Sequence, residues 1–302
     1  MPDFSRFLKR IYVLAVWLCA GLVLSCAATP KETSPEPPPK RAKIAVVLGA
    51  GASRGFAHVG VLKMLETHRV PVHMVVGTSV GAFVGSLYAC GLSPYELQTI
   101  ALGIQKDDVA DYIIPDNGFI KGEKLENYIN NLVKFTPLDK LKIPFYAVAT
   151  NIRTGEEMVF GRGNTGRAVR ASCAVPGIFN PVVIGENVYV DGGVVSPVAV
   201  NAARRLGADV VIAVDISSGL TPAMPAGALE TIMQSVDIMH NKMSVIQLQN
   251  ADVVIRPKVG YIGPGDFTKR HEAIMEGEKA AAVAMPAINQ VIDSLRQGER
   301  LP

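Results

Sequence analysis

Apolar and polar positions along this chain of 302 residues switch repeatedly between a strand period and a helix period. Lys43–Leu48 is a near-continuous apolar run, as expected of a central strand covered on both faces. A glycine-rich loop follows, then a helical pattern from about Phe56 to His68. Val72–Val76 predicts a second strand, and the small residues of Val80–Cys90 a second helix. Pro94–Ile104 and Lys121–Val133 predict two more; in the latter Leu125, Tyr128, Ile129 and Leu132 make one stripe at helical spacing. Phe145–Thr150 and Glu157–Phe160 read as strands around the turn Arg153-Thr154-Gly155. Asn187–Val190 reads as a short strand entering Asp191-Gly192-Gly193, and Val210–Ile216 is again continuously apolar. Two helical stretches, Ala226–Gln249 and Lys269–Leu295, flank a last strand at Asp252–Arg256. Such alternation predicts an α/β fold: one domain over residues 43–302, with a mostly parallel sheet and helices on both faces. No internal repeat or second-domain boundary is visible.

The first 42 residues follow another pattern. Arg6, Lys9 and Arg10 precede an apolar run, Ile11–Leu24, that is short of the ~20 residues a membrane-spanning helix needs. A basic flank, a short apolar core and then small residues describe a secretory signal over residues 1–25. Val23-Leu24-Ser25-Cys26 resembles the lipobox of bacterial lipoproteins. That resemblance implies that Cys26 becomes the lipid-modified first residue of the mature chain; an uncleaved anchor or ordinary cleavage nearby is the alternative. Residues 26–42 hold Pro30, Pro35, Pro37, Pro38 and Pro39 and few apolar side chains, so they predict an extended tether. The implied location is the bacterial cell envelope, with the chain lipid-anchored at the periplasmic face of the outer membrane.

Composition narrows the class. Hydrophobic residues make up 49% and charged residues 19%, which favours a well-cored enzyme over a disordered chain. The net charge of +3 falls to +1 without residues 1–25, so no electrostatic case for nucleic acid survives. Cys90 and Cys173 have no metal-ligand spacing and sit in small-residue segments. Free core thiols are favoured there over a disulfide, which an oxidising compartment would allow.

The chemistry begins at Gly77-Thr78-Ser79-Val80-Gly81, between the second strand and a helix. A serine on so sharp a turn is a nucleophile elbow, and glycines beside it remove side chains that would block close packing. One strand earlier lies Gly49-Ala50-Gly51-Ala52-Ser53-Arg54-Gly55, opening the first helix. Amides at a helix N-terminus favour negative charge. A dinucleotide loop would need Gly-x-Gly-x-x-Gly and an acidic residue ending the second strand; here the last glycine is one residue late and that strand ends in Gly77-Thr78-Ser79. An oxyanion hole for acyl transfer is favoured over a tight strand–helix turn with no chemistry.

A serine also needs a base, and the chain has only five histidines. His58 lies within the first helix and reads as a packed or supporting residue. His68 and His73 flank a turn at the far end of the sheet, and His240 and His271 lie on late helices with no motif around them. Asp191, leaving a strand into Gly192-Gly193, is the better candidate; Asp215, ending the run from Val210, is the runner-up. A carboxylate with a pKa of about 4 is a weak base for an alcohol. It suffices when it bonds the hydroxyl directly and the oxyanion is strongly held.

Taken in order, the glycine loop ending in Arg54-Gly55, the Gly-x-Ser-x-Gly elbow and Asp191-Gly192-Gly193 resemble the patatin-like phospholipase family, in its bacterial form. Arg54-Gly55-Phe56-Ala57-His58-Val59-Gly60 and Arg170-Ala171-Ser172-Cys173-Ala174-Val175-Pro176-Gly177-Ile178-Phe179 add to the match, which covers roughly Lys43–Ile216 with a weaker continuation at Ala251–Pro257. The resemblance implies a three-layer fold, Ser79 as nucleophile and Asp191 as its base. It implies Gly49, Gly51, Ala52, Ser53, Arg54 and Gly55 as the oxyanion and substrate-binding loop. It further implies an acyl-ester lipid, such as a phospholipid, as substrate; no cofactor is expected, and no cluster of histidines and carboxylates calls for a metal. This loop lacks three successive glycines, which leaves open which amides face the oxyanion. Ala174–Val183 is a stretch that either lines the acyl site or belongs to the core. Rival readings are a Ser-Asp-His triad using His240 or His271, a lipid-anchored scaffold with a silent site, and a nucleotide-binding protein.

Overall fold

The chain divides into two units, Met1–Lys40 and Arg41–Pro302. The computed structural model describes residues 39–114, 118–217 and 224–301. The expected signal, the lipobox with Cys26 and nearly all of the tether lie outside the described residues.

In the second unit the strands are β1 (Ile44–Leu48), β2 (Met74–Thr78), β3 (Phe145–Asn151), β4 (Glu157–Phe160), β5 (Val182–Ile184), β6 (Asn187–Asp191), β7 (Val210–Val214) and β8 (Val253–Ile255). They form one sheet in the order β5-β6-β3-β2-β1-β7-β8, with β4 pairing β3 off that path. From β3 to β8 along this order the pairings are all parallel, while β4, β5 and β6 run antiparallel to their partners. β1, β2 and β7 are buried at every position, which explains their unbroken apolar sequence.

The helices are α1 (Phe56–Thr67), α2 (Val80–Cys90), α3 (Pro94–Gly103), α4 (Lys106–Val109), α5 (Glu123–Leu132), α6 (Thr165–Ser172), α7 (Val200–Arg205), α8 (Ala228–Gln247) and α9 (Arg270–Gln297). Alternation along β1 sorts them into layers. Ile44, Val46 and Leu48 join a large core with residues of α1, α2, α3 and α9, whereas Ala45 and Val47 meet Val200, Ala202 and Ala203 of α7. Helices therefore cover both faces, thickly on one and thinly on the other. On the thick face α1 and α9 cross closely: a Cβ on Gly60 would lie 2.0 Å from the Ile274 carbonyl oxygen, and one on Gly277 2.0 Å from that of Ala57.

The mostly parallel three-layer fold thus matches the periodicity. Strand β2 starts two residues later than its apolar run, because pairing with β1 pins Ala45 to Met74 and Leu48 to Gly77. α4, α6, α7 and β5 carry no periodic signal long enough to read and are set by their neighbours.

Candidate active site

Ser79 follows the last residue of β2 and caps α2, with φ 56° and ψ −126°. That conformation is costly for a residue with a side chain and persists only where packing enforces it. The enforcement is visible at both flanking glycines. A Cβ on Gly77 would lie 2.5 Å from Ala82 Cα, and one on Gly81 2.0 Å from the Leu48 carbonyl oxygen. A further support comes from Ser172 at the end of α6. Its hydroxyl accepts from the Ser79 amide (2.9 Å) and donates to the Val148 carbonyl (2.5 Å).

Sheet register carries Asp191 to the same place. β2 pairs Thr78 with Val148 of β3, so Ser79 is level with Ala149; β3 in turn pairs Ala149 with Asp191. Two strand spacings separate the backbones by roughly 10 Å. Ser and Asp side chains can close that gap because the strand between them carries only alanine at this level. Ser79 Oγ donates to Asp191 Oδ2 at 2.5 Å, and the Gly193 amide donates to Oδ1 at 2.7 Å. The Asp191 carbonyl accepts from Thr150 Oγ1 (3.0 Å), and its amide donates to the Ala174 carbonyl (2.8 Å). Burial raises the Asp191 pKa from 3.8 to about 7, against the lowering effect of the bonds from Ser79 and Gly193.

The glycine loop is held from behind. Gly49 donates to the Val214 carbonyl, Ala50 to that of Pro197, and Ser53 turns both its amide and hydroxyl to the carbonyls of Pro264 and Gly263. Buried Arg54 directs its own amide (3.1 Å) and Nε (3.2 Å) at the Gly51 carbonyl, while Nη2 binds both oxygens of Asp237 on α8 at 2.8 and 2.9 Å. In a trans peptide the next N–H points the opposite way, so Arg54 orients the amide of Ala52. The amides of Gly51 and Ala52 have no partner among the described residues. Of the six loop residues expected at the site, Gly51, Ala52, Ser53, Arg54 and Gly55 line the cavity, and Gly49 does not. Gly49 supports it instead: its carbonyl lies 2.8 Å from His58 Nε2. Burial holds that histidine down at about 4, so it is neutral and donates from Nε2.

Ser79, Asp191 and this loop border a cavity of about 240 Å³, whose other walls are mostly apolar, among them Val59, Val84, Leu87, Ile100 and Leu125. Val175 and Phe179 line it too, whereas Ala174 is fully buried, so the stretch from Ala174 serves both roles. Cys90 and Cys173 are free and half-buried. Cys173 faces the cavity, and burial pushes its thiol well above 9.

Asp215 is placed elsewhere. Its oxygens meet the Ser217 amide and, at 3.4 Å, Arg256 Nε. His271 is exposed at the start of α9. His240 departs from the sequence expectation of a surface or satisfied core histidine. It lines the cavity and packs against Gly193, where a Cβ would stand 2.4 Å from its Nε2. Burial lowers it to about 4, and no hydrogen bond joins it to Ser79 or Asp191. Ser172 and Asp237 are site residues with no role expected from the sequence, and His240, weighed there only as a rival base, lines the cavity without bonding Ser79 or Asp191. Ser172 lies in the family-like stretch Arg170–Phe179, whereas Asp237 and His240 sit on a helix with no signature.

Fold and site together define an α/β protein with a serine on a sharp strand–helix turn, hydrogen-bonded to a buried carboxylate. The family model of patatin-like phospholipases matches residues 46–204, and the chain belongs to that family. An uncharacterized NTE family protein of Mycobacterium tuberculosis is 26% identical over 271 residues, covering 81% of this chain and 46% of its own. Patatin-like phospholipase domain-containing protein 7 of Rattus norvegicus is 33% identical over 183 residues, 58% of this chain and 14% of its own. Lysophospholipase NTE1 of Meyerozyma guilliermondii is 30% identical over 181 residues, 58% of this chain and 13% of its own. The chain spans less than half the length of these curated relatives. Among solved structures, VipD from Legionella pneumophila shares the fold with a TM-score of 0.58 at 12% identity, over 83% of this chain and 67% of that one.

Proposed function

We propose that this chain hydrolyses fatty-acyl esters of membrane lipids through a Ser79–Asp191 dyad and a covalent acyl-enzyme. The observation that carries the reading is the 2.5 Å bond from Ser79 Oγ to a buried Asp191 at the wall of an apolar cavity. Asp191 takes the hydroxyl proton as Oγ attacks the ester carbonyl. The amides of Gly51 and Ala52, with the N-terminus of α2, stabilise the oxyanion. Collapse breaks the C–O bond, and the leaving alkoxide takes the proton back from Asp191. Water then gives its proton to Asp191, attacks the acyl carbon and releases the fatty acid as Oγ is reprotonated. A carboxylate raised to about 7 suits this work, since a base is most effective near the working pH.

A fluorophosphonate probe tests the nucleophile. The full chain becomes covalently labelled, Ser79→Ala does not, and persistent labelling of that variant overturns the assignment.

The same proposal includes anchoring through a lipid on Cys26, supported by the basic flank, apolar run and lipobox-like Val23-Leu24-Ser25-Cys26. This would hold the enzyme at the periplasmic face of a bacterial outer membrane, beside its substrate. Mass spectrometry of the mature N-terminus checks it: a diacylglyceryl-modified Cys26 is expected in the bacterial host and is lost in Cys26→Ala.

A further inference from the structure

A second cavity, of about 360 Å³, lies between α8 and the segment of Val175 and Pro176. It shares Val175, Asp191, Val236 and His240 with the cavity that holds Ser79. Asp191 therefore stands where the two spaces meet, with Ser79 on the wall of the first. An ester also has two sides, an acyl side and an alcohol side, and a carbonyl bonded to Ser79 sends them in different directions.

The second space is built for hydrocarbon. No lysine, arginine or glutamate lines it. Its two hydroxyls are already engaged by the backbone of their own helix: Thr231 Oγ1 donates to the Gly227 carbonyl (2.9 Å) and Ser235 Oγ to that of Thr231 (2.8 Å). A glycerophosphate group placed there would lose hydration without gaining cationic or strong donor partners. A second acyl chain gains from the same walls, by roughly fourfold in affinity per buried methylene. The groove reaches solvent along Ile232 and Met239, which are 40% and 49% exposed, so a chain enters from the side. Whichever ester of a glycerolipid is cut, both of its sides meet apolar walls.

We infer that this groove along α8 binds the uncleaved acyl chain of a diacyl glycerolipid, so that diacyl lipids are favoured over their monoacyl counterparts. The inference rests on the hydrolase reading above. Its test presents dipalmitoyl-phosphatidylcholine and palmitoyl-lysophosphatidylcholine together in the same detergent micelles, where attachment to the interface affects both equally. The ratio of kcat/KM, diacyl over monoacyl, is read for the full chain, for Met239→Glu and for Thr231→Trp. Both substitutions are at exposed positions of α8, one charging the groove and one filling it. We expect a ratio above one that drops at least tenfold in either variant. A ratio below one in the unaltered chain, or one that moves less than twofold in both variants, overturns the inference. Fluorophosphonate labelling, run in parallel, separates the two failures. A labelled chain with an unmoved ratio refutes the groove alone, and a chain neither labelled nor active refutes the hydrolase reading beneath it.

Discussion

Two aspartates stand where strands of the sheet run out, Asp191 on the antiparallel side and Asp215 on the parallel side. Both are largely buried, at 3% and 7% exposure. Their surroundings differ in kind. Asp215 meets a cationic partner, Arg256, and an amide two residues on. Asp191 meets only neutral donors, Ser79 Oγ and the Gly193 amide, in a space that burial makes expensive for charge. An ion pair turns a carboxylate into an anchor, whereas neutral partners and burial keep it ready to accept a proton. Position in a strand is therefore a poor guide to a base; the charge and dielectric around it decide.

The sharpest way to break this comparison is to remove each carboxylate in turn. Asp191→Asn keeps the shape and loses the base, and ester turnover should fall on the order of 10⁴-fold. Equal losses in Asp191→Asn and Asp215→Asn would end the distinction. Next is pH. In the proposed reaction Asp191 works unprotonated, so kcat/KM should fall about tenfold per unit as pH drops below about 7, and level off above it. A profile flat down to pH 5 would point to a different base.

A smaller change in rate is expected at the loop. Arg54→Lys keeps the charge but loses the Nε bond to Gly51 and the paired contact with Asp237. We expect kcat to drop about 10- to 100-fold with KM little altered, because the proposed reaction needs the amide of Ala52 most in the transition state. An effect on KM alone would remove Arg54 from that role.

Stability supplies an independent check. Between 3.8 and about 7 the folded chain keeps a proton on Asp191 that the unfolded chain has released. Stability then declines as pH rises across that window, by at most about 4 kcal/mol, and this contribution is constant above it. Asp191→Asn lacks the penalty, so its Tm should exceed that of the parent at pH 8 by more than at pH 5. A difference independent of pH would mean that Asp191 is not raised. Asp215→Asn closes the series, with turnover within about threefold of the parent, since it touches neither Ser79 nor the loop.

The contrast also marks how far the chain could be read before folding. Apolar runs such as Ile44–Leu48 and Val210–Val214 are local signals of buried parallel strands, so the fold class was legible. The elbow was legible for a similar reason. A serine at positive φ between glycines is a demand of one turn, stated within five residues. The loop from Gly49 to Gly55 could be located, but which of its amides stay free depends on Val214, Pro197 and Pro264, far along the chain.

Other features have no local signature at all. Ser79 and Asp191 meet because β6 pairs antiparallel with the C-terminal half of β3, which brings residues 112 apart to one level across Ala149. Asp237 and His240 reach the site from a late helix whose sequence shows only amphipathic spacing. The sequence by itself determined which groups could react: a serine on a sharp turn, a glycine-rich loop and a choice of carboxylates. Tertiary structure alone decided which carboxylate was the partner, because register sets the distance and burial sets the pKa, and both are properties of the packed sheet.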